Sequence, residues 1–356
     1  MRNKFILLSA LLVFVLGGAF AWHGKKNRRT IAERKIAIQK QQTEKLTPPA
    51  KINLKKEKTS AEVSQIPRNY EKGEKVTKYL PIRQDISFQG KKYTAIREFF
   101  RDNSKYFLAV ELESNKTEII LAKNSRELVN TSGFDNSSYN AALESLKGRT
   151  GITNVGLRND LKSRENMVYM TADFCPSSKT GFEKEFFINF IKKGHKNIAI
   201  AITSAWIKKH GDDFAWIIEQ KKNNNLNITW VNHSTNHKYD WGKPLENNFL
   251  LKPGTDLAEE VLEVEKVLIE NGQTPSIFMR FPGLVSDAGI REKIIDKYSL
   301  IFIGSDAWLA KGESPQNGSI ILIHGNKNEP IGIQKANQYL ENKDKKIKFG
   351  SLTESL

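Results

Sequence analysis

Met167-Val-Tyr-Met-Thr171, continuing as Ala172-Asp173-Phe174-Cys175-Pro176 and then as Phe182 to Lys193 with Phe186, Phe187, Phe190 and Ile191 on one side, reads as a strand that runs into a helix. A strand that is apolar almost throughout suits a sheet covered on both faces. The pattern recurs. Asn197 to Ile207, Ile228-Thr-Trp-Val231, Ser276-Ile-Phe-Met279, Leu300-Ile-Phe-Ile303 and Ser319-Ile-Ile-Leu-Ile323 read as further strands, with helices over Asp256 to Asn271 and Ala288 to Tyr298. Alternation of this kind predicts an α/β fold with a parallel sheet, either a barrel or a doubly wound sheet. In both, chemistry collects at the C-terminal ends of the strands.

The conspicuous polar residues of this half fall at those ends: Asp173, His233 and His237, Arg280, Asp306 and His324 each follow a strand. Parallel strands would bring all six to one rim. His233 and His237 are four apart, so one helical turn would place both imidazoles on one face, where they can share a metal ion. A pair of this kind also occurs as ordinary surface or core histidines.

These segments, in this order, resemble the polysaccharide deacetylases of carbohydrate esterase family four, the NodB homology domain. The family's T-F-D-D is met by Thr171-Ala-Asp-Phe174, its H-S/T-x-x-H by His233-Ser-Thr-Asn-His237, and its R-x-P by Arg280-Phe-Pro282. Asp306-Ala-Trp308 is similar to its Asp-Trp element with one residue inserted, and Ile321-Leu-Ile-His324 to its last motif. The resemblance implies a distorted (β/α) barrel over residues 163–345 and a metal-dependent hydrolase that removes N-acetyl groups from an N-acetylglucosamine polymer such as peptidoglycan or a chitin-like chain.

By position it also implies roles. His233, His237 and an aspartate would hold a divalent metal, zinc being the expected one. Asp173 would be the base, Arg280 its holder, His324 the acid and Asp306 the tuning partner of His324, while Pro282, Trp308 and Leu322 would shape the acetyl site. Phe174 stands where the family's metal-ligating aspartate belongs, and phenylalanine cannot bind a metal. Asp173 would then become the third ligand, or Cys175 would bind instead, or the site would bind metal weakly and leave a glycan-binding protein without turnover. An aspartate restored at position 174 is expected to strengthen metal affinity. Another amide hydrolase on the same barrel is a third class, and Trp216, Tyr239 and Trp241 are candidates for stacking on sugar faces.

The rest of the chain narrows the setting. Met1 to Lys4 is basic and Phe5 to Trp22 is an uncharged run of 18 residues, near the lower limit for crossing about 30 Å of bilayer hydrocarbon. Ala19-Phe-Ala21 has the form of a signal-peptidase site, so residues 1–22 read as a cleaved signal or a membrane anchor, and the protein as extracytoplasmic. Of the formal charge of +16, most lies in residues 23–78, with sixteen Lys or Arg against six Glu and no interleaved run of aromatics. That stretch reads as a basic tether, and no nucleic-acid partner is expected. Residues 79–162 contain short strand-like runs such as Tyr106 to Val110 and Thr117 to Ala122 and read as a small mixed or β-rich accessory domain, with 346–356 as a tail. The single cysteine excludes intramolecular disulfides.

Overall fold

A computed structural model describes residues 75–128, 136–159, 166–342 and 347–356, all within one compact unit. The expected signal or anchor and most of the basic tether lie outside them. No helix among the described residues is long and apolar enough to cross a membrane.

Five strands come first: β1 (Thr77–Phe88), β2 (Lys91–Arg101), β3 (Ser104–Glu111), β4 (Thr117–Leu121) and β5 (Arg126–Glu127). They form an antiparallel sheet in the order β4-β3-β2-β1-β5. The first two turns are two residues long, and both residues of each have positive φ: Gln89 and Gly90 between β1 and β2, Asp102 and Asn103 between β2 and β3. That geometry matches the right-handed twist of the flanking strands, which is why hairpins favour it. Ile96, Phe99, Leu108 and Val110 of this sheet join Tyr139, Leu143 and Leu146 of helix α1 (Ser138–Leu146) and the interior of the second sheet in one apolar core.

The second sheet is the parallel one that the apolar strands predict, and of the two forms left open, barrel or doubly wound sheet, it takes the first in open form. Its strands are β6 (Met167–Phe174), β7 (Asn197–Ile202), β8 (Asn227–Asn232), β9 (Phe278–Met279), β10 (Ile301–Phe302), β11 (Ala307–Trp308), β12 (Ile320–His324) and β13 (Lys348–Phe349). All pair in parallel, in the order β10-β9-β8-β7-β6-β12-β11, with β13 beside the start of β6. β10 and β11 end the order, so the sheet curls into an open half-barrel. Residues 348 and 349, expected in a tail, thus belong to this sheet. Outside it lie α2 (Lys184–Lys192), α3 (Ser204–Lys209), α4 (Gly211–Lys222), α5 (Leu257–Glu270), α6 (Ala288–Asp296) and α7 (Pro330–Glu341).

One element differs from expectation. The run Asn197 to Ile207 is not a single strand: β7 stops at Ile202, and Thr203 caps α3 by accepting a hydrogen bond from the Trp206 amide at 3.2 Å. A hydroxyl that satisfies a free helical N–H outweighs the apolar character of the following residues.

Side-chain alternation along β6 sorts what reaches the barrel mouth. Val168, Met170, Ala172 and Phe174 lie in the outer apolar layer with α2 and α3. Thr171 and Asp173, on the opposite face, both accept hydrogen bonds from Arg280 just beyond β9.

The two sheets are also tied by charge. Arg97 of β2 is fully buried and makes a two-pronged bond to Glu265 of α5, at 2.7 and 2.9 Å. Tyr79 adds its hydroxyl to the same carboxylate at 3.0 Å. Cation and phenol together satisfy a carboxylate that burial would otherwise penalise heavily.

Candidate metal centre and acid-base site

His233, His237 and Cys175 meet at the mouth of the half-barrel. One donor atom from each lies within 4.8 Å of the others, and the Cys175 Sγ is 3.5 Å from the His233 Nε2. The imidazoles arrive by a route the spacing does not suggest. Residues 233–237 are not helical; Ser234 (φ 68) and His237 (φ 49) adopt left-handed backbone that curls the segment until the two rings are 5.0 Å apart.

That curl is held from outside by α5. The buried Glu260 accepts bonds from the Thr235 amide at 3.0 Å and from the amide and side chain of Asn236 at 2.9 Å. Asn232, at the end of β8, accepts the Ser234 amide at 3.0 Å and donates to the Val261 carbonyl at 2.8 Å. Neither Glu260 nor Asn232 was a candidate from the sequence; an acidic residue in the first turn of a helix is too common to stand out.

The chemistry of the donor set fits a cation. The His233 Nδ1 is 2.9 Å from the Arg280 carbonyl oxygen, which only accepts, so Nδ1 carries the proton and Nε2 offers its lone pair toward Cys175. Burial alone would raise the Cys175 thiol, but the charges and hydrogen bonds of His237 and His233 outweigh it and hold the thiol well below its ordinary value, close to the ligating thiolate form. Bonds of about 2.0–2.3 Å to a tetrahedral ion require donors roughly 3.5 Å apart, a spacing that Cys175 and His233 already have.

Phe174 takes no part. It is fully buried on the opposite face of β6, its ring 4.6 Å from that of Trp206 and about 6 Å from those of Phe182 and Phe187. Strand alternation turns it away from Asp173, so an aspartate at 174 would enter this apolar layer and offer the histidines no donor. The ring also occupies the space that a Cβ at Gly325 would need, with ring carbons 2.4 and 2.5 Å from that position. In place of Phe174, Cys175 points a donor at the histidines.

Asp173, expected as base and as third ligand, stands beside the cluster. Its Oδ2 is 3.7 Å from the His233 Nε2, while its Oδ1 accepts from the Arg280 Nη1 at 2.6 Å. Arg280 is itself fixed by bonds to Thr171 at 2.6 Å and to the Gly304 carbonyl at 2.9 Å. The parallel register pairs Asp173 directly with His324, so strand geometry alone sets carboxylate and imidazole side by side.

His324 has a partner, but not Asp306. Its Nδ1 is 2.7 Å from Glu329, whose Oε2 also accepts from the Trp308 indole at 2.8 Å. Burial opposes charge on His324, yet hydrogen bonds to Cys175 and Glu329 and the nearby negative charges raise its pKa well above the usual imidazole value. Asp306 instead accepts the Ile320 amide at 2.9 Å and so fastens the β10–β11 connection to β12. Glu329 lies in the turn between β12 and α7, five residues after the histidine and just before Pro330. Pro330 marks a helix start in the sequence, and that signal locates the turn.

Trp308 and Leu322 are register partners on β11 and β12, and the Trp308 ring is 5.8 Å from that of His324. Leu322 is buried on the same face of β12 as His324. Pro282 is buried just past Arg280. Gly283 follows at φ 61, and a Cβ there would meet the Phe249 ring at 2.5 Å. That close approach lets Phe249 pack against His237, ring centres 5.2 Å apart. Trp216 is half-buried against Phe182, not on this rim.

No protein-family model matches the chain. Among solved structures it is similar to a family 4 carbohydrate esterase from Bacillus anthracis, with 18% identity, a TM-score of 0.41, and coverage of 65% of this chain and 95% of that one. It is similar to Bacillus subtilis PdaA, a family 4 carbohydrate esterase, with 15% identity, a TM-score of 0.41, and coverage of 62% and 89%. A mutant of a CE4 family pseudoenzyme with restored enzymatic activity matches with 14% identity, a TM-score of 0.39, and coverage of 78% and 93%.

Proposed function

We propose that the protein is a metal-dependent hydrolase that removes acetate from N-acetylated sugars of an extracytoplasmic polysaccharide. The observation that carries this reading is the placement of Asp173 and His324 as register neighbours beside a Cys175, His233 and His237 donor set. A base, an acid and a cation site within one small volume are what hydrolysis of an unreactive amide requires.

Cys175, His233 and His237 would hold the cation, and a thiolate with two imidazoles favours zinc. When bound, such a cation polarises an amide carbonyl and acidifies water. The chain's own groups do the rest. Asp173, with Oδ1 pinned by Arg280 and Oδ2 3.7 Å from the His233 Nε2, would take the proton of the attacking water. As the new C–O bond forms and the C–N bond breaks, His324 protonates the departing nitrogen, giving acetate and a free amine. Glu329 keeps that imidazole charged and oriented through Nδ1, leaving Nε2 to donate. Leu322 and Trp308 offer an apolar wall for the acetyl methyl.

Glycan binding without turnover was motivated by the loss of the aspartate at 174. The donor supplied by Cys175 favours the hydrolase instead. The test is acetate release from N-acetylglucosamine oligomers by the full chain, before and after chelation and after zinc is restored. Release that chelation abolishes and zinc restores is expected; release indifferent to chelator and to His324→Ala would overturn the proposal.

A further inference from the structure

Among the described residues, five large apolar side chains are exposed, and three of them, Tyr239, Trp241 and Leu245, lie within seven residues of one another. Trp241 is 91% exposed and Tyr239 46%. The segment that presents them is firmly built. The buried Asn248 accepts the Asp240 amide at 2.6 Å and donates to the carbonyls of Asp240, Lys243 and Pro244, and Lys252 bonds the Asp240 carboxylate at 2.9 Å. A loop so tied holds an indole in water at a fixed place, which removes much of the ordering cost of binding.

The aromatic rings form a continuous path to the site. The centre of the Trp241 ring is 6.2 Å from that of Tyr239, Tyr239 stacks on Phe249 at 5.2 Å, and Phe249 packs on His237. A groove of about 470 Å³ runs alongside, and its lining includes Tyr239, Leu245, Phe249, Trp308, Lys311 and Glu313. Lys311 caps the Trp308 ring with its ammonium 3.6 Å from the ring centre. Two of the lining rings also touch histidines of the candidate site, Phe249 packing on His237 and Trp308 lying 5.8 Å from His324.

We propose that Tyr239 and Trp241 form a subsite for the glycan chain beyond the sugar that reacts, so that the enzyme reads a linear N-acetylated polysaccharide rather than a single sugar. Flat apolar ring faces interspersed with Lys, Glu and Asn suit pyranose rings, which carry C–H groups on their faces and hydroxyls on their edges. This subsite rests on the hydrolase reading above.

The experiment compares the full chain with Trp241→Ala, Tyr239→Ala and Trp241→Phe on N-acetylglucosamine oligomers from dimer to hexamer. The alanine variants should raise KM for the longer oligomers about tenfold, the scale of losing one aromatic anchor. KM for the dimer and kcat at saturation should stay unchanged, and Trp241→Phe should recover much of the loss. Equal losses at every length, or no loss at any, would overturn the subsite. If wild type releases no acetate at all, the hydrolase reading fails and the subsite is judged by retardation in gels containing polymeric chitin or peptidoglycan. There, retardation lost in Trp241→Ala sustains the subsite, and mobility unchanged by the polymer refutes it.

Discussion

Two histidine sites share the barrel mouth, and their Nδ1 partners assign them different work. His233 meets the Arg280 carbonyl, a neutral acceptor that fixes the tautomer and leaves the ring a ligand. His324 meets the Glu329 carboxylate, which favours the charged ring and suits it to the proton donation proposed for it. The same imidazole thus becomes ligand or acid according to whether its second nitrogen faces a dipole or a charge.

The largest effect should come from separating these jobs. His324→Ala should lower acetate release by about 10²–10⁴-fold, the range for a general acid, with metal still bound. His233→Ala should lose the metal as well as the activity. Metal analysis of both purified variants checks the contrast, and equal metal loss in the two would break it.

The next comparison is between neighbours on the chain. Cys175→Ser should weaken metal affinity by at least 10-fold, because hydroxyl is a poorer ligand than thiolate for a soft site. Phe174→Asp should leave affinity no better and lower stability by about 3–5 kcal/mol, since it removes a packed ring and buries a carboxyl group in its place. Competition with a chromophoric chelator and urea unfolding measure the two.

The smallest effect concerns pH. In the proposed mechanism the protonated form of His324 is the active one, so activity should fall as pH rises through its raised pKa. Glu329→Gln removes the carboxylate that helps raise it, and the alkaline limb of kcat should move to lower pH. With zinc bound, the Cys175 thiolate is committed to the metal, which leaves Glu329 as the group to test. A pH–rate profile unmoved by Glu329→Gln would show that the carboxylate does not tune the acid.

Much of this site was legible in the sequence. Apolar runs located the parallel strands, and of the polar residues at their ends Asp173, His233, His237, Arg280 and His324 gather at one mouth, whereas Asp306 bonds the start of β12. The failures were local. His233 and His237 meet through two left-handed residues, not through a helical turn, and single positive φ angles leave little trace in composition. Phe174 was weighed as a lost ligand, although period-two alternation from Asp173 already turns it outward. Motif order points to Asp306 as partner of His324 and passes over Glu329, because it ranks residues along the chain, whereas a strand-to-helix turn folds a later residue back onto the strand's last one.

The Arg97–Glu265 bond reaches further than it first suggests. Glu265 sits on the same helix as Glu260, the residue that grips the His233–His237 loop, so the antiparallel sheet braces the cation site from behind through α5. Arg97→Ala would strand the Glu265 carboxylate in a dry interior, at a cost of about 3–5 kcal/mol. Shortening the chain to its parallel half would uncover the apolar core that Ile96, Phe99, Leu108 and Val110 now close. Any minimal version of this protein must therefore keep its first sheet, whatever becomes of the residues that precede it.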